Sequence, residues 1–104
     1  MTSEEKFLFD LQGYLIVKNV LSPEEVANLN AIADREFGGP YDETQVKRTS
    51  DVSKWDKACQ ALFDHPKILP YLLELLGPKF RADHDYCIFM KKGAHRGNLH
   101  GGDI

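Results

Sequence analysis

At 104 residues the chain holds one domain at most, and 42% hydrophobic with 28% charged residues is the balance of an ordinary globular protein, without repeats or low-complexity segments. Thirteen basic against sixteen acidic residues leave a formal net charge of -3, so no basic field exists to draw nucleic acid or anionic lipid, and both are excluded as primary partners. No apolar run approaches the roughly 20 residues of a membrane span, and the acidic opening Met1-Thr2-Ser3-Glu4-Glu5-Lys6 lacks the apolar core of a signal peptide, which makes the cytoplasm the expected location.

Taken in order, Ser3 is placed to cap a short helix that runs to about Asp10, carries Phe7, Leu8 and Leu11 inward and ends at Gly13. Tyr14-Leu15-Ile16-Val17 reads as a short strand with both faces apolar, sandwiched between other elements. The sharpest boundary is Ser22-Pro23-Glu24-Glu25: an N-cap serine, a proline in the first turn, and a glutamate three residues after the cap that can return to the cap amide. The helix it opens carries Val26, Leu29, Ile32, Ala33 and Phe37 on one stripe, lies on a sheet, and stops at Gly38-Gly39-Pro40.

Residues 41–53 are polar and read as a loop, expected to be mobile over 47–51, with Lys47 and Arg48 at its centre. Arg48 is the side chain there suited to an anionic substrate; the competing reading is a solvated surface segment. Ser53 is expected to cap a helix in which Trp55, Ala58, Cys59, Leu62 and Phe63 keep helical spacing, broken by Asp64-His65-Pro66. His65 before a proline reads as a helix-terminus residue. Pro66 then opens another helix with Ile68, Leu69, Leu72, Leu73, Leu75 and Leu76 on one broad side, ended by Gly77-Pro78, while Pro70 falls late for a first turn. Cys59 and Cys87 fall in different elements without C-x-x-C spacing and read as reduced core thiols.

Residues 80–90 contain no Gly or Pro and are rich in aromatic and β-branched types, the composition of a long buried strand. One parity holds Phe80, Ala82, His84, Tyr86, Ile88 and Met90, the other Arg81, Asp83, Asp85, Cys87, Phe89 and Lys91. The first parity is the more apolar; in an α+β arrangement it meets the helices and leaves the second to line a cavity, while a barrel would put His84 and Tyr86 inside, and periodicity alone does not choose between the two. A Gly-containing connection through His95 leads to Asn98-Leu99-His100-Gly101-Gly102-Asp103, an imidazole and a carboxylate beside thin backbone. The chain thus divides into a helical region, 1–78, with one short strand, and a segment, 79–104, that starts a sheet.

Phe9-x-x-x-Gly13-Tyr14-Leu15-Ile16-Val17 with Asn19-Val20-Leu21-Ser22, the segments Asp64-His65-Pro66 and Glu74-Leu75-Leu76-Gly77, and residues 81–90 followed by Leu99-His100-Gly101-Gly102 together resemble, in order and over nearly the whole chain, the phytanoyl-CoA dioxygenase family. The resemblance implies an α+β architecture in which N-terminal helices flank a double-stranded β-helix, the jelly-roll barrel. It also implies iron(II)- and 2-oxoglutarate-dependent hydroxylation of a small organic substrate, with His100 as the first metal ligand. Two imidazoles and one carboxylate on one face of iron leave positions open for the oxoacid and oxygen. The family pattern places that carboxylate two residues after the histidine. Here Gly102 stands at that position and Asp103 follows, so Asp103 reaches the metal only through a bulge or bend at Gly101-Gly102. A glycine there also fits a halogenase-like member that binds halide in place of the carboxylate.

A jelly roll needs about eight strands. The distal histidine and the arginine for 2-oxoglutarate are not in this sequence, which is therefore expected to be the truncated N-terminal portion of such an enzyme, inactive on its own. The competing class is a non-catalytic α+β module that pairs with another chain, a second copy included, through an open strand edge.

Overall fold

The computed structural model describes residues 1–94. Among them lie four α-helices, α1 (Ser3–Gln12), α2 (Pro23–Glu36), α3 (Lys57–Gln60) and α4 (Leu69–Leu76), and two strands, β1 (Lys47–Ser50) and β2 (Tyr86–Phe89), that form one antiparallel sheet. The described chain is therefore a small α+β arrangement. No described helix is long and apolar enough to cross a membrane.

Local chemistry explains where the helices begin and end. The cap of α1 is Thr2, one residue before the expected Ser3: its hydroxyl accepts the Glu5 amide and Glu5 returns to the Thr2 amide. Ser3 has Lys6 three residues on, which offers no acceptor to close such a box. Gly13, left-handed at φ 80°, ends the helix with its amide on the Phe9 carbonyl. In α2 the Ser22/Glu25 box is complete and Pro23 sits in the first turn, as its sequence dictates. Its C-terminus closes through the Gly39 amide, which donates to the Asp34 carbonyl at 2.7 Å, and through Lys47, whose Nζ donates to the Phe37 carbonyl at 3.2 Å.

Other expectations are corrected. Residues 14–17 are extended but belong to no sheet; Leu15 and Val17 are half-buried while Tyr14 and Ile16 face outward, so the segment has one covered side, not two. The supposed mobile loop at 47–51 contains β1, held by the register Lys47↔Phe89, Arg48↔Ile88, Thr49↔Cys87 and Ser50↔Tyr86. The single helix expected from Ser53 is broken into a 3₁₀ turn, Val52–Lys54, and the short α3. Asp56 interrupts the run by accepting the Ala58 amide as N-cap of α3, and the Ser53 amide goes to the Asp85 carboxylate instead of starting a helix. Finally, α4 starts at Leu69, so Pro70 occupies its first turn and Pro66 lies outside it.

The long strand expected over 80–90 is four residues, Tyr86–Phe89, because β1 offers only four partners. Of the two arrangements left open for its parity, the more apolar face is the one turned away from the helices. Cys87 and Phe89 turn toward the helices and Tyr86, Ile88 and Met90 turn outward. The core explains this: Ile32, Ala33 and Cys59 are buried, and Phe37 on the end of α2 meets Phe89 at 4.7 Å and Trp55 edge-on at 5.5 Å, with Tyr41 edge-on to Phe89 at 5.4 Å. An aromatic cluster of this kind anchors the sheet more strongly than the apolar count of either parity.

Candidate functional site

The sheet has two unlike faces, and this places the site. The inner face closes, with α2 and α3, a cleft of about 260 Å³ lined by Leu29, Trp55, Cys59, Cys87 and Phe89. Both thiols are uncharged there at neutral pH. Burial pushes Cys59 up, helped by the carboxylates of Asp56 and Asp85 and by Cys87, and burial alone raises Cys87. These are packing thiols, not nucleophiles, and both are free.

Among the described residues no helix packs on the outer face. It follows from the alternation of β2 and the register of β1 that His84, Tyr86, Ile88 and Met90 share it with Arg48 and Ser50. The Arg48 guanidinium carbon sits 5.1 Å from the centre of the Tyr86 ring, a diagonal cross-strand contact. Tyr86 also stacks with His84, centroids 5.8 Å apart and planes 12° from parallel. His84 Nδ1 in turn lies 2.8 Å from Asp83 Oδ2. The result is an exposed ladder of guanidinium, phenol and imidazole in which one carboxylate is engaged by the imidazole.

Arg48 itself makes no ion pair or hydrogen bond to another described residue. Its neighbour Lys47 is engaged at the end of α2. Beneath the ladder Asp85 holds the turn from β1 into the 3₁₀ segment: its carbonyl accepts the Asp51 amide at 3.1 Å and its carboxylate the Ser53 amide, which accommodates Asp51 in a left-handed conformation at φ 60°. The Tyr41 hydroxyl donates to the Met90 carbonyl and ties the far end of β2.

The predicted metal ligands His100 and Asp103, with His95, lie outside the described residues. Among the described residues, no group of three or more His, Cys, Asp or Glu side chains is assembled for a metal ion. His65 is engaged locally: its Nδ1 accepts the Lys67 amide at 3.2 Å and its Nε2 faces Glu25 at 3.7 Å. The sequence singled out Arg48, but not its partnership with Tyr86, which depends on a register that residues 47–50 do not announce. The signal that could have found it was the alternative parity, with His84 and Tyr86 on an inner wall. Compared with protein-family models, curated proteins and solved structures, the chain matches none.

Proposed function

We propose that this chain supplies the N-terminal helices and first sheet strands of an iron(II)- and 2-oxoglutarate-dependent oxygenase that hydroxylates a small organic substrate. The sequence segments that resemble the phytanoyl-CoA dioxygenase family motivate the reading, and the two-sidedness of the sheet is the structural observation that supports it. A jelly-roll wall carries helices outside and its site inside. Here Cys87 and Phe89 pack toward the helical side while Arg48, Tyr86 and His84 occupy a face without helices among the described residues. In this reading the outer face of the isolated sheet is the inner wall of the barrel. The described residues provide no iron ligand set, so the metal rests on His100 together with ligands from further barrel strands.

The chain's own residues then have defined tasks. Phe37, Trp55 and Phe89 fix the wall against α2, Asp85 fixes the turn beside it, and the ladder presents a cation and aromatic surface to the cavity. Iron and 2-oxoglutarate, when bound, supply the oxidising chemistry. The test is iron(II) titration of the protein made from the complete reading frame, wild type against His100→Ala. Loss of binding in the variant is expected; equal affinity removes His100 and the oxygenase reading with it. Loss in His100→Ala but not in Asp103→Ala favours a carboxylate supplied elsewhere or the halogenase-like form.

One observation favours a second reading. Among the described residues the sheet has two strands, so each is an edge with one row of backbone groups open to pairing. A module that recruits another chain by strand addition would use that row. Concentration-dependent protection of the outward amides of β1 or β2 is its signature, and protection that does not change with concentration counts against self-pairing.

A further inference from the structure

We infer that Arg48, seated on Tyr86, is the receptor for a carboxylate group of the substrate. The inference rests on the oxygenase reading, because that reading turns the open sheet face into the inside of a cavity.

Charge carries the argument. An exposed guanidinium needs no partner, but one enclosed in a barrel does, since an unpaired charge removed from water costs several kcal/mol. The described surroundings of Arg48 offer none: its cross-strand neighbour is Ile88, Ser50 and Met90 are uncharged, and Asp83 on the same ladder is engaged by His84. The contact with Tyr86 sets the guanidinium carbon 5.1 Å from the ring centre, and no hydrogen bond to a described residue occupies its N–H groups, which stay available for a fork of hydrogen bonds.

The same surroundings define the ligand. One guanidinium neutralises one negative charge, which matches a carboxylate; a phosphate dianion would call for a second cation, and Lys47 is committed to the Phe37 carbonyl. Beside the cation lie the Tyr86 ring and the side chains of Ile88 and Met90, all more than a third exposed and therefore available to an apolar or planar carbon skeleton. The substrate class is thus a small organic acid whose carboxylate pairs with Arg48 and whose body lies along Tyr86 and Ile88.

The experiment uses the protein from the complete reading frame, with phenylacetate as probe and phenylacetamide as its neutral counterpart, followed through the Arg48 Nε–H and Tyr86 ring NMR signals. Phenylacetate is expected to bind at least about tenfold more tightly than phenylacetamide, the worth of a charge-assisted hydrogen-bond pair. Arg48→Gln should abolish that preference and Arg48→Lys restore part of it, with iron(II) affinity unchanged in both. Arg48 is exposed, so neither substitution threatens the core. Equal binding of acid and amide to the wild type, or a preference that survives Arg48→Gln, overturns the inference while leaving the oxygenase reading standing. Loss in Arg48→Gln of 2-oxoglutarate affinity alone also overturns it. Failure of iron binding in the wild type instead removes the reading on which it rests.

Discussion

The Tyr71 hydroxyl donates to Glu5 Oε1 at 2.9 Å across 66 residues of chain, while the other oxygen of the same carboxylate accepts the Thr2 amide at 2.8 Å. One side chain therefore closes the cap of α1 and ties that helix to α4, helped by the N-terminal ammonium of Met1, 3.0 Å from Glu74. The amide of Thr2 and then the Tyr71 hydroxyl hold the Glu5 carboxyl below its ordinary range, and the same bond raises Tyr71.

The pH dependence of this tie follows from those directions. A carboxyl whose folded-state pKa is depressed stabilises fully above its unfolded value, and the contribution fades as pH falls through the folded value. A phenol whose pKa is raised stabilises below its unfolded value and ceases to do so as pH rises through the folded one. Docking of α1 is expected to be retained between the carboxylate and phenol ranges and lost at either end. Tyr71→Phe should accelerate amide exchange throughout α1 at neutral pH and remove the alkaline limb while keeping the acid limb, because the Thr2 cap remains. Unchanged exchange in α1 would show that other contacts hold the helix.

The aromatic cluster gives a second expectation. Phe37 touches both Trp55 and Phe89, so it joins the end of α2, the segment before α3 and the sheet. Truncating a buried phenylalanine costs about 3–5 kcal/mol. Phe37 is half-buried, which moves the expected cost of Phe37→Ala to about 2 kcal/mol on the same scale. Trp55 is the single tryptophan, so its fluorescence reports the event directly: a red-shifted emission and an earlier denaturant midpoint are expected. An unshifted midpoint would mean that the cluster does not anchor the sheet.

How much of this was legible in the sequence depends on how local each interaction is. The Ser22/Glu25 box could be read because both partners lie within four residues, and Gly13 could be read as a stop because a left-handed cap favours glycine. Strand β1 could not: Lys47-Arg48-Thr49-Ser50 shows no apolar alternation, and its extended form comes from pairing with β2. The broken helix after Ser53 was legible only in part: the Asp56 cap is local, but the Ser53 amide is taken by Asp85, 32 residues away. Parity in β2 could not be chosen from periodicity, because what decides it is the contact of Phe89 with Phe37 and Tyr41. For the same reason Arg48 was legible as a cation but not as the neighbour of Tyr86.

Cysteine reactivity offers a third test. Cys59 is 6% exposed and burial raises both thiols, with no cation beside Cys87 to oppose it. A raised thiol stays protonated at neutral pH, and the thiolate is the reacting form. Alkylation by iodoacetamide at pH 7.5 should therefore be slower at both positions than for free cysteine, slowest at Cys59, and should accelerate together with unfolding. Rapid labelling of either thiol in the folded chain would contradict the packing described for the cleft.

The last expectation concerns the surfaces of α1 and α4. Among the described residues the buried apolar side chains are Ile32, Ala33 and Cys59 alone, whereas Phe7 and Leu11 on α1 are 65% and 72% exposed and Leu76 on α4 is 62% exposed. Each such side chain gains about 1.5–3 kcal/mol when it is covered, so surfaces of this kind associate when protein or dye is offered. The 104-residue chain is expected to bind an apolar dye and to sediment with a concentration-dependent mass, and Leu11→Glu together with Leu76→Glu should reduce both. The substitutions lie on exposed positions and leave the cluster around Phe37 untouched, so the far-ultraviolet circular dichroism should stay as it is. A dye-silent monomer with a sharp cooperative melt would show that these faces need no cover, and would weaken the proposal that a barrel completes the fold.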